Sequence, residues 1–259
     1  MSEQWFWNNL ETLEPGLYDQ TDEAAFFTEM ARRCGGPVLD LGCGAGRLAI
    51  PMCRAGAEVV GLDVSIAALR SFREKLHAEP RQVRGRVTLV CADMRRFALR
   101  REFRLVICSS NTLLLLSSED AIRHALECVS THMSSEGRLV VDVAALDEQS
   151  RAAFSTYPAG EVSDIESRTH RVRVSGEEHL GPRTLSITYR YSDSSRALCG
   201  ERTEELLLLT PVELLGLLES RGFEAVERYG WYDRRPFAET GRKLLVVARR
   251  RETSTPCQK

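Results

Sequence analysis

The sequence predicts an α/β fold: a doubly wound, seven-stranded, mostly parallel sheet with a small antiparallel sheet inserted after the fifth strand. Three observations carry that expectation. From Pro37 to Val143, short apolar or β-branched runs alternate with longer stretches of helical period, the pattern of a parallel sheet covered on both faces. A turn holding three glycines joins the first of these runs to the first helical stretch. After Asp142 the apolar period changes to two over successive segments, which suits antiparallel strands.

Taken in order, PVLDLG reads as the first strand and Gly46 to Ala55 as the helix after it. EVVGLD and Ser65 to His77 repeat the unit, VTLVCAD and FRLVICSS are the third and fourth strands, Ser118 to Met133 is a helix, and GRLVVDV is the fifth strand. HRVRVS, RTLSITYRY and ERTEELLLLT form three inserted strands. Alternation places His170, Val172 and Val174 on one face of the first, and Leu185, Ile187, Tyr189 and Tyr191 on one face of the second. A helix over 211–221 ends at Gly222, and FEAVERYGW and RKLLVVARR close the main sheet as an antiparallel edge hairpin. The expected organisation is an N-terminal segment plus core over 1–145, an inserted lid, substrate or dimer region over 146–210, completion of the core over 211–250, and a disordered tail over 251–259.

Composition narrows the function. A chain of 259 residues suffices for one large α/β domain with a sizeable core. Lys and Arg number 35 against 37 Asp and Glu, so the balance calls for neither nucleic acid nor an anionic membrane. The opening MSEQWFWNNLETLEPG lacks the form of a secretion signal, and no apolar run reaches the roughly 20 residues of a membrane span. The eight cysteines are scattered without a CxxC pair, several inside apolar runs, which points to reduced buried thiols in the cytoplasm and to no metal site.

The turn Asp40-Leu-Gly42-Cys43-Gly44-Ala-Gly46 runs from a strand into a helix. Glycines there let a ligand lie on the backbone, facing the positive end of the helix. The next strand ends at Asp63, a position from which a carboxylate reaches the two hydroxyls of a ribose. Dinucleotide binders use G-x-G-x-x-G against a pyrophosphate. Here the order is acid-x-G-x-G-x-G, and the carboxylate of Asp40 would repel a phosphate but suits an ammonium group. The ligand expected is a nucleoside bearing an amine and no phosphate.

These residues, and most of Pro37 to Val143, resemble motif I and the following motifs of class I S-adenosylmethionine-dependent methyltransferases, and the protein is read as a Rossmann-like member of the small-molecule N- or O-methyltransferase type, similar to enzymes acting on amino sugars and glycine-like amines. The resemblance implies that S-adenosyl-L-methionine is the cofactor and S-adenosyl-L-homocysteine the product. Asp40, Gly42, Cys43, Gly44, Gly46 and Arg47 then form the loop against its methionine part, and Asp63 with Val64 holds the ribose end. In CADMRRF, Asp93 falls where the family binds the exocyclic amine of adenine and Met94 where it covers the ring. Ser109 and Asn111, in ICSSNTLLLL, fall beside the transferred methyl.

Catalytic groups are fewer, because displacement at a sulfonium depends mainly on proximity and orientation. The resemblance points to Tyr18, in an N-terminal segment over the site, as a hydroxyl near the sulfonium. His170, on the apolar face of an inserted strand, is either an acceptor-orienting or proton-accepting residue or an edge histidine. His77 and His124 are expected in solvent, His179 in a loop, and His132 at a helix end where a cation is favoured. Trp5, Phe6 and Trp7 form an amphipathic first helix. Trp231 and Tyr232 line the acceptor pocket or cap the hairpin, and RRFALRREFR is an exposed linker.

The partner expected is a small-molecule acceptor, with no nucleic acid, no membrane and a homodimer as an option. Enzymes that methylate base or glutamine amides usually carry [DN]PP[YF] after the fourth strand, where this chain has SSNT. A nicotinamide oxidoreductase is disfavoured by the glycine order. A non-catalytic cofactor-binding module, or an RNA- or protein-directed methyltransferase, is the alternative.

Overall fold

A computed structural model describes residues 20–144, 162–166, 171–181, 183–192, 198–238 and 243–251. The main sheet holds seven strands: β1 (Val38–Leu41), β2 (Val59–Asp63), β3 (Val87–Cys91), β4 (Phe103–Cys108), β5 (Met133–Ala144), β10 (Phe223–Tyr229) and β11 (Lys243–Arg250). Their order is β10-β11-β5-β4-β1-β2-β3. The first five run parallel, while β11 is antiparallel both to β5 and to β10. The expected doubly wound, mostly parallel sheet is therefore present.

Helices α1 (Gln20–Cys34), α2 (Ala49–Arg54), α3 (Ile66–His77), the single turn α4 (Arg81–Arg84), α5 (Glu119–His132) and α6 (Pro211–Ser220) connect or cover the strands. Three carry the caps that their sequences provide. Ser65 accepts a hydrogen bond from Ala68 N at the start of α3, Ser118 does so from Ala121 N at α5, and Thr210 with Glu213 forms a reciprocal capping box at α6.

Alternation along each strand divides the core in two. Val38, Leu105, Ile107, Val140, Leu245 and Val247 pack with α1, α2 and α3, whereas Leu39, Leu41, Val106, Leu139, Val141, Val143, Leu244 and Val246 face α5 and α6. The first layer is dominated by aromatic rings: Phe26 and Phe27 of α1 meet edge-on at 5.3 Å and lie 6.0 and 6.2 Å from the ring of Tyr232.

The inserted sheet has four strands rather than three, β6 (Val162–Glu166), β7 (Arg171–Leu180), β8 (Thr184–Ser192) and β9 (Leu198–Leu207), in sequential antiparallel order. The short VSDIE carries too little alternation to stand out alone and is a strand because it pairs with β7. β7 also extends past HRVRVS to Leu180, so His179 pairs with Ser186 instead of lying in a loop; Gly176, Glu177 and Glu178 disguise that continuation. The sheet is tied to the core by Leu185, Leu206, Leu207, Leu208 and Leu209, all buried in the layer of α5 and α6.

The segment RRFALRREFR after β3 is mostly exposed, as expected, while its aromatic residues turn inward. Phe103 is buried at the start of β4, and Phe97 stacks on His132 at 4.5 Å. His132 is buried and is no helix-end cation: its Nε2 accepts from Leu99 N at 2.9 Å while Nδ1 lies 2.7 Å from Cys128 O, the pattern of a neutral ring bridging α5 to the loop. His77 and His124 are exposed as expected.

Removing a ring from the α1 layer leaves a hole that helices and sheet cannot both close. Phe27→Ala should lower unfolding free energy by about 3–5 kcal/mol in a urea titration, with the slope of the transition unchanged.

Candidate active site

Successive parallel strands step from β1 outward to β3, then return to β4 on the other side of β1, so a crevice opens at the carboxyl ends of β1 and β4. Gly42 to Gly46 leaves β1 on one side of it and Ser109 to Asn111 leaves β4 on the other. Gly42 N and Cys43 N both donate to Leu62 O, at 2.8 and 3.1 Å, fastening the loop to the end of β2.

Asp63 completes that fastening. Its Oδ2 accepts from Gly44 N at 2.8 Å and its Oδ1 from Ser65 N at 2.8 Å, so one buried carboxylate holds the glycine loop and the start of α3 together. Val64, beside it, is 73% exposed and Ile66 58%, an apolar ledge at the same edge.

The glycines are selected first by the protein's own packing. Gly42 has φ of 69°, and a Cβ there would lie 2.2 Å from Cγ2 of Thr112; Gly46 has φ of 84°, and a Cβ would lie 2.3 Å from the ring of Phe72. Cys43 is buried, and its Sγ lies against Gly61 of β2, so its side chain is packing and its thiol is pushed far above the ordinary range by burial.

A group of buried charges underlies the loop. Burial pushes the Asp40 carboxyl up to about 7, with Arg47 opposing the shift and Asp63 and Glu23 adding to it. Arg47 forms an ion pair with Glu23 of α1, which is wholly buried, and its Nη2 donates to Ser110 Oγ at 2.5 Å. Ser110 Oγ in turn donates to Glu23 Oε1 at 3.2 Å. The loop, α1 and the turn after β4 are thus one hydrogen-bonded unit.

That turn is strained. Ser110 and Asn111 have φ of 53° and 61°, left-handed values that non-glycine residues seldom adopt and that concentrate at functional sites. Ser109 is buried beneath it. Asn111 Oδ1 accepts from Ala144 N at 2.5 Å and Asn111 N donates to Asp142 O at 3.1 Å, so much of its polar capacity serves the turn.

Asp93 follows β3 and accepts from Arg95 N at 2.8 Å while pairing with the Arg95 guanidinium, whose hydrogen bonds hold the carboxyl below its usual range. It is a turn residue here, with its oxygens turned to the exposed guanidinium of Arg95. Met94 is half-buried against the α5 layer.

The sequence-predicted loop, Asp63, Val64, Asp93, Met94, Ser109 and Asn111 therefore lie at the carboxyl ends of the same parallel strands. Tyr18 and His170 fall outside the described residues, as do Trp5, Phe6, Trp7 and the tail 252–259. Sequence reasoning missed Glu23, Ser110, Asp142 and Lys243, and left Tyr232 open between pocket and hairpin. Tyr232 is buried and donates to Asp142, while Lys243 Nζ lies 2.7 Å from Asp142 Oδ1. A charge inside the apolar β5 run, and a lysine heading the apolar β11 run, were the available signals. No cluster able to hold a metal occurs among the described residues.

Comparison with known proteins agrees with this geometry. Residues 38–137 match the model of a methyltransferase domain family. The cypemycin N-terminal methyltransferase of a Streptomyces species is 27% identical over 222 residues, covering 83% of this chain and 84% of that protein. The glycopeptide N-methyltransferase MtfA complexed with sinefungin is 30% identical, covering 89% of this chain and 86% of that one, with a TM-score of 0.61. S-adenosylmethionine-bound CalS10, an amino pentose methyltransferase of Micromonospora echinaspora, shares the fold at 23% identity, with coverage of 90% and 92% and a TM-score of 0.67. The chain belongs to the class I S-adenosylmethionine-dependent methyltransferases, and its cofactor is S-adenosylmethionine.

Two outcomes follow from the loop. Gly42→Ala should destabilise the fold by about 1–3 kcal/mol and Thr112→Ser should recover part of the loss, because it removes the clashing methyl and leaves the dihedral cost. Urea unfolding of the single and double variants measures both. Asp40 ionises near 3.8 when unfolded and near 7 when folded, so its ionisation lowers stability as pH rises between these values. Asp40→Asn should therefore gain on wild type progressively from pH 4 to 7, by a few kcal/mol at most, in paired unfolding titrations; a constant difference across that range contradicts it.

Proposed function

We propose that the protein transfers a methyl group to an amine of a small-molecule natural product, with the cofactor held by Asp40, Gly42, Cys43, Gly44, Gly46, Arg47, Asp63, Val64, Asp93, Met94, Ser109 and Asn111. The observation that carries the reading is Asp63: a buried carboxylate at the end of β2 that accepts from Gly44 N and Ser65 N and so joins the glycine loop to the start of α3, beside an exposed apolar ledge. A carboxylate beside an apolar ledge suits a ribose joined to an adenine. The nitrogen acceptor is supported by the relatives, since MtfA is named a glycopeptide N-methyltransferase and the Streptomyces protein a cypemycin N-terminal methyltransferase.

S-adenosylmethionine supplies a methyl on a positively charged sulfur, reactive enough that no protein nucleophile is needed. The chain's residues then bind, orient and exclude water. Asp63 and the amides around it fix the ribose end, and Val64 with Met94 offers apolar surface to the adenine. The loop amides approach the methionine part, where Asp40 favours an ammonium. Arg47 serves mainly through Glu23 and Ser110, as a strut between the loop and the turn after β4. Tyr18 and His170 are proposed as the groups nearest the reacting atoms, one steadying the sulfonium and the other accepting a proton from the acceptor.

The division proposed is a core over 1–145 and 211–250, with 146–210 as the region that chooses the acceptor and 251–259 as a tail. A reducing cytoplasm suits the buried thiols of Cys43, Cys53 and Cys108. No described helix is long and apolar enough to cross a membrane.

Titration calorimetry with S-adenosylhomocysteine tests the residue assignments. Wild type should bind in the micromolar range and Asp63→Ala should weaken binding at least about a hundredfold, since two charge-assisted hydrogen bonds and the loop anchor go together. Equal affinities would remove Asp63 from the site. An acceptor screen over amines, amino sugars and phenols then separates nitrogen from oxygen.

A further inference from the structure

A second polar cluster, beyond the cofactor loop, joins the edge hairpin to the turn after β4. Asp142, near the end of β5, is completely buried. Its Oδ2 accepts from Ser110 N at 3.2 Å and from the hydroxyl of Tyr232, and its Oδ1 accepts from Lys243 Nζ at 2.7 Å. Lys243 also donates to the Tyr232 hydroxyl at 2.9 Å, and its ammonium lies 4.8 Å from the Tyr232 ring and 5.5 Å from that of Trp231. The backbone repeats the link, because Asn111 N donates to Asp142 O and Ala144 N to Asn111 Oδ1.

We infer that Asp142, set in place by Tyr232 and Lys243, is a positioning residue that holds Ser110 and Asn111 in their left-handed turn at the methyl-transfer end of the crevice. Two consecutive non-glycine residues with positive φ are strained, and such a turn persists only where its surroundings over-determine it. The side-chain bond to Ser110 N and the main-chain bond to Asn111 N come from a single residue, so Asp142 grips both strained amides at once. Its buried charge is balanced by Lys243, which arrives there because β11 runs antiparallel beside β5 and pairs Lys243 with Ala144. The tyrosine is anchored against Phe26 and Phe27 of α1. Closing the hairpin and docking α1 are thereby coupled to the shape of the turn. The consequence for the reaction rests on the proposed cofactor site; the consequence for the turn does not.

Two variants loosen the cluster from different sides. Tyr232→Phe keeps the ring and removes the donor to Asp142, while Asp142→Asn keeps an oxygen for Ser110 N and removes the charge facing Lys243. Hydrogen exchange of the intact, ligand-free protein reads the turn directly. In both variants exchange at the Ser110 and Asn111 amides should accelerate about tenfold or more, the loss of one charge-assisted bond, while Leu41 and Leu62 exchange as in wild type. Unchanged exchange at the turn, or equal acceleration everywhere, overturns the inference and assigns the cluster to general stability.

Calorimetry with S-adenosylhomocysteine and with sinefungin, which bears an amine-carrying carbon in place of the sulfur, reads the consequence at the reacting end. Affinity for the homocysteine compound should stay within about threefold of wild type while that for sinefungin falls about tenfold. If wild type binds both and the ratio does not move, the link to methyl transfer fails. If wild type binds neither, the proposed cofactor residues fail, and the exchange result still decides whether Asp142 holds the turn.

Discussion

The carboxyl ends of the parallel strands depend on one constraint: buried carboxylates there must be satisfied by backbone amides of the loops they hold. Asp63 accepts from Gly44 and Ser65. Asp142 accepts from Ser110 N through its side chain and from Asn111 N through its carbonyl. An ionised carboxylate removed from water is costly unless such donors converge on it, and the loops, once bonded, lose their freedom to drift. The crevice thereby has its shape before any ligand enters, which is what an enzyme relying on proximity and orientation requires.

The same constraint explains why elements far apart in the chain form one unit. Glu23 on α1, Arg47 beyond the glycine loop and Ser110 after β4 share hydrogen bonds, and Tyr232 and Lys243 from the terminal hairpin reach the same turn through Asp142. The aromatic layer of Phe26, Phe27 and Tyr232 supplies the apolar seating on which these charges are placed. Burial lifts the Asp40 carboxyl, and the neighbouring acids Asp63 and Glu23 add to the shift against Arg47. A cationic ligand relieves it, so the electrostatic strain and the family's sulfonium cofactor suit each other.

Local signals in the sequence were enough to place the candidate residues at strand ends. The glycine turn, Asp63 at a strand end, Asp93 after β3 and the SSNT segment after β4 each announce themselves within a few residues, because strand, turn and helix are adjacent in the chain. Glu23, Tyr232, Lys243 and Asp142 were not legible as partners, since their meeting depends on α1 docking and on the antiparallel register of β11 against β5. The glycines also had a second cause that no spacing reveals, the side chains of Thr112 and Phe72. In the inserted sheet, β6 and the far half of β7 were missed where charged residues and glycine interrupt the alternation, and tertiary pairing overrides that weak pattern. His132, read as a helix-end cation, is a buried bridge for the same reason: its partners lie 33 and 4 residues away and only the fold joins them.

The central claim is that the cofactor lies along the carboxyl ends of β1, β2 and β3, against a glycine loop already fixed in place by its own hydrogen bonds. Amide chemical shifts of the labelled protein, followed while S-adenosylhomocysteine is added, test this most directly. The account predicts that the largest changes fall at Gly42 to Gly46, Asp63 to Ser65 and Ala92 to Met94, with little change at the amino ends of the same strands. Changes concentrated in the inserted sheet or around α6, with the glycine loop unmoved, would contradict it.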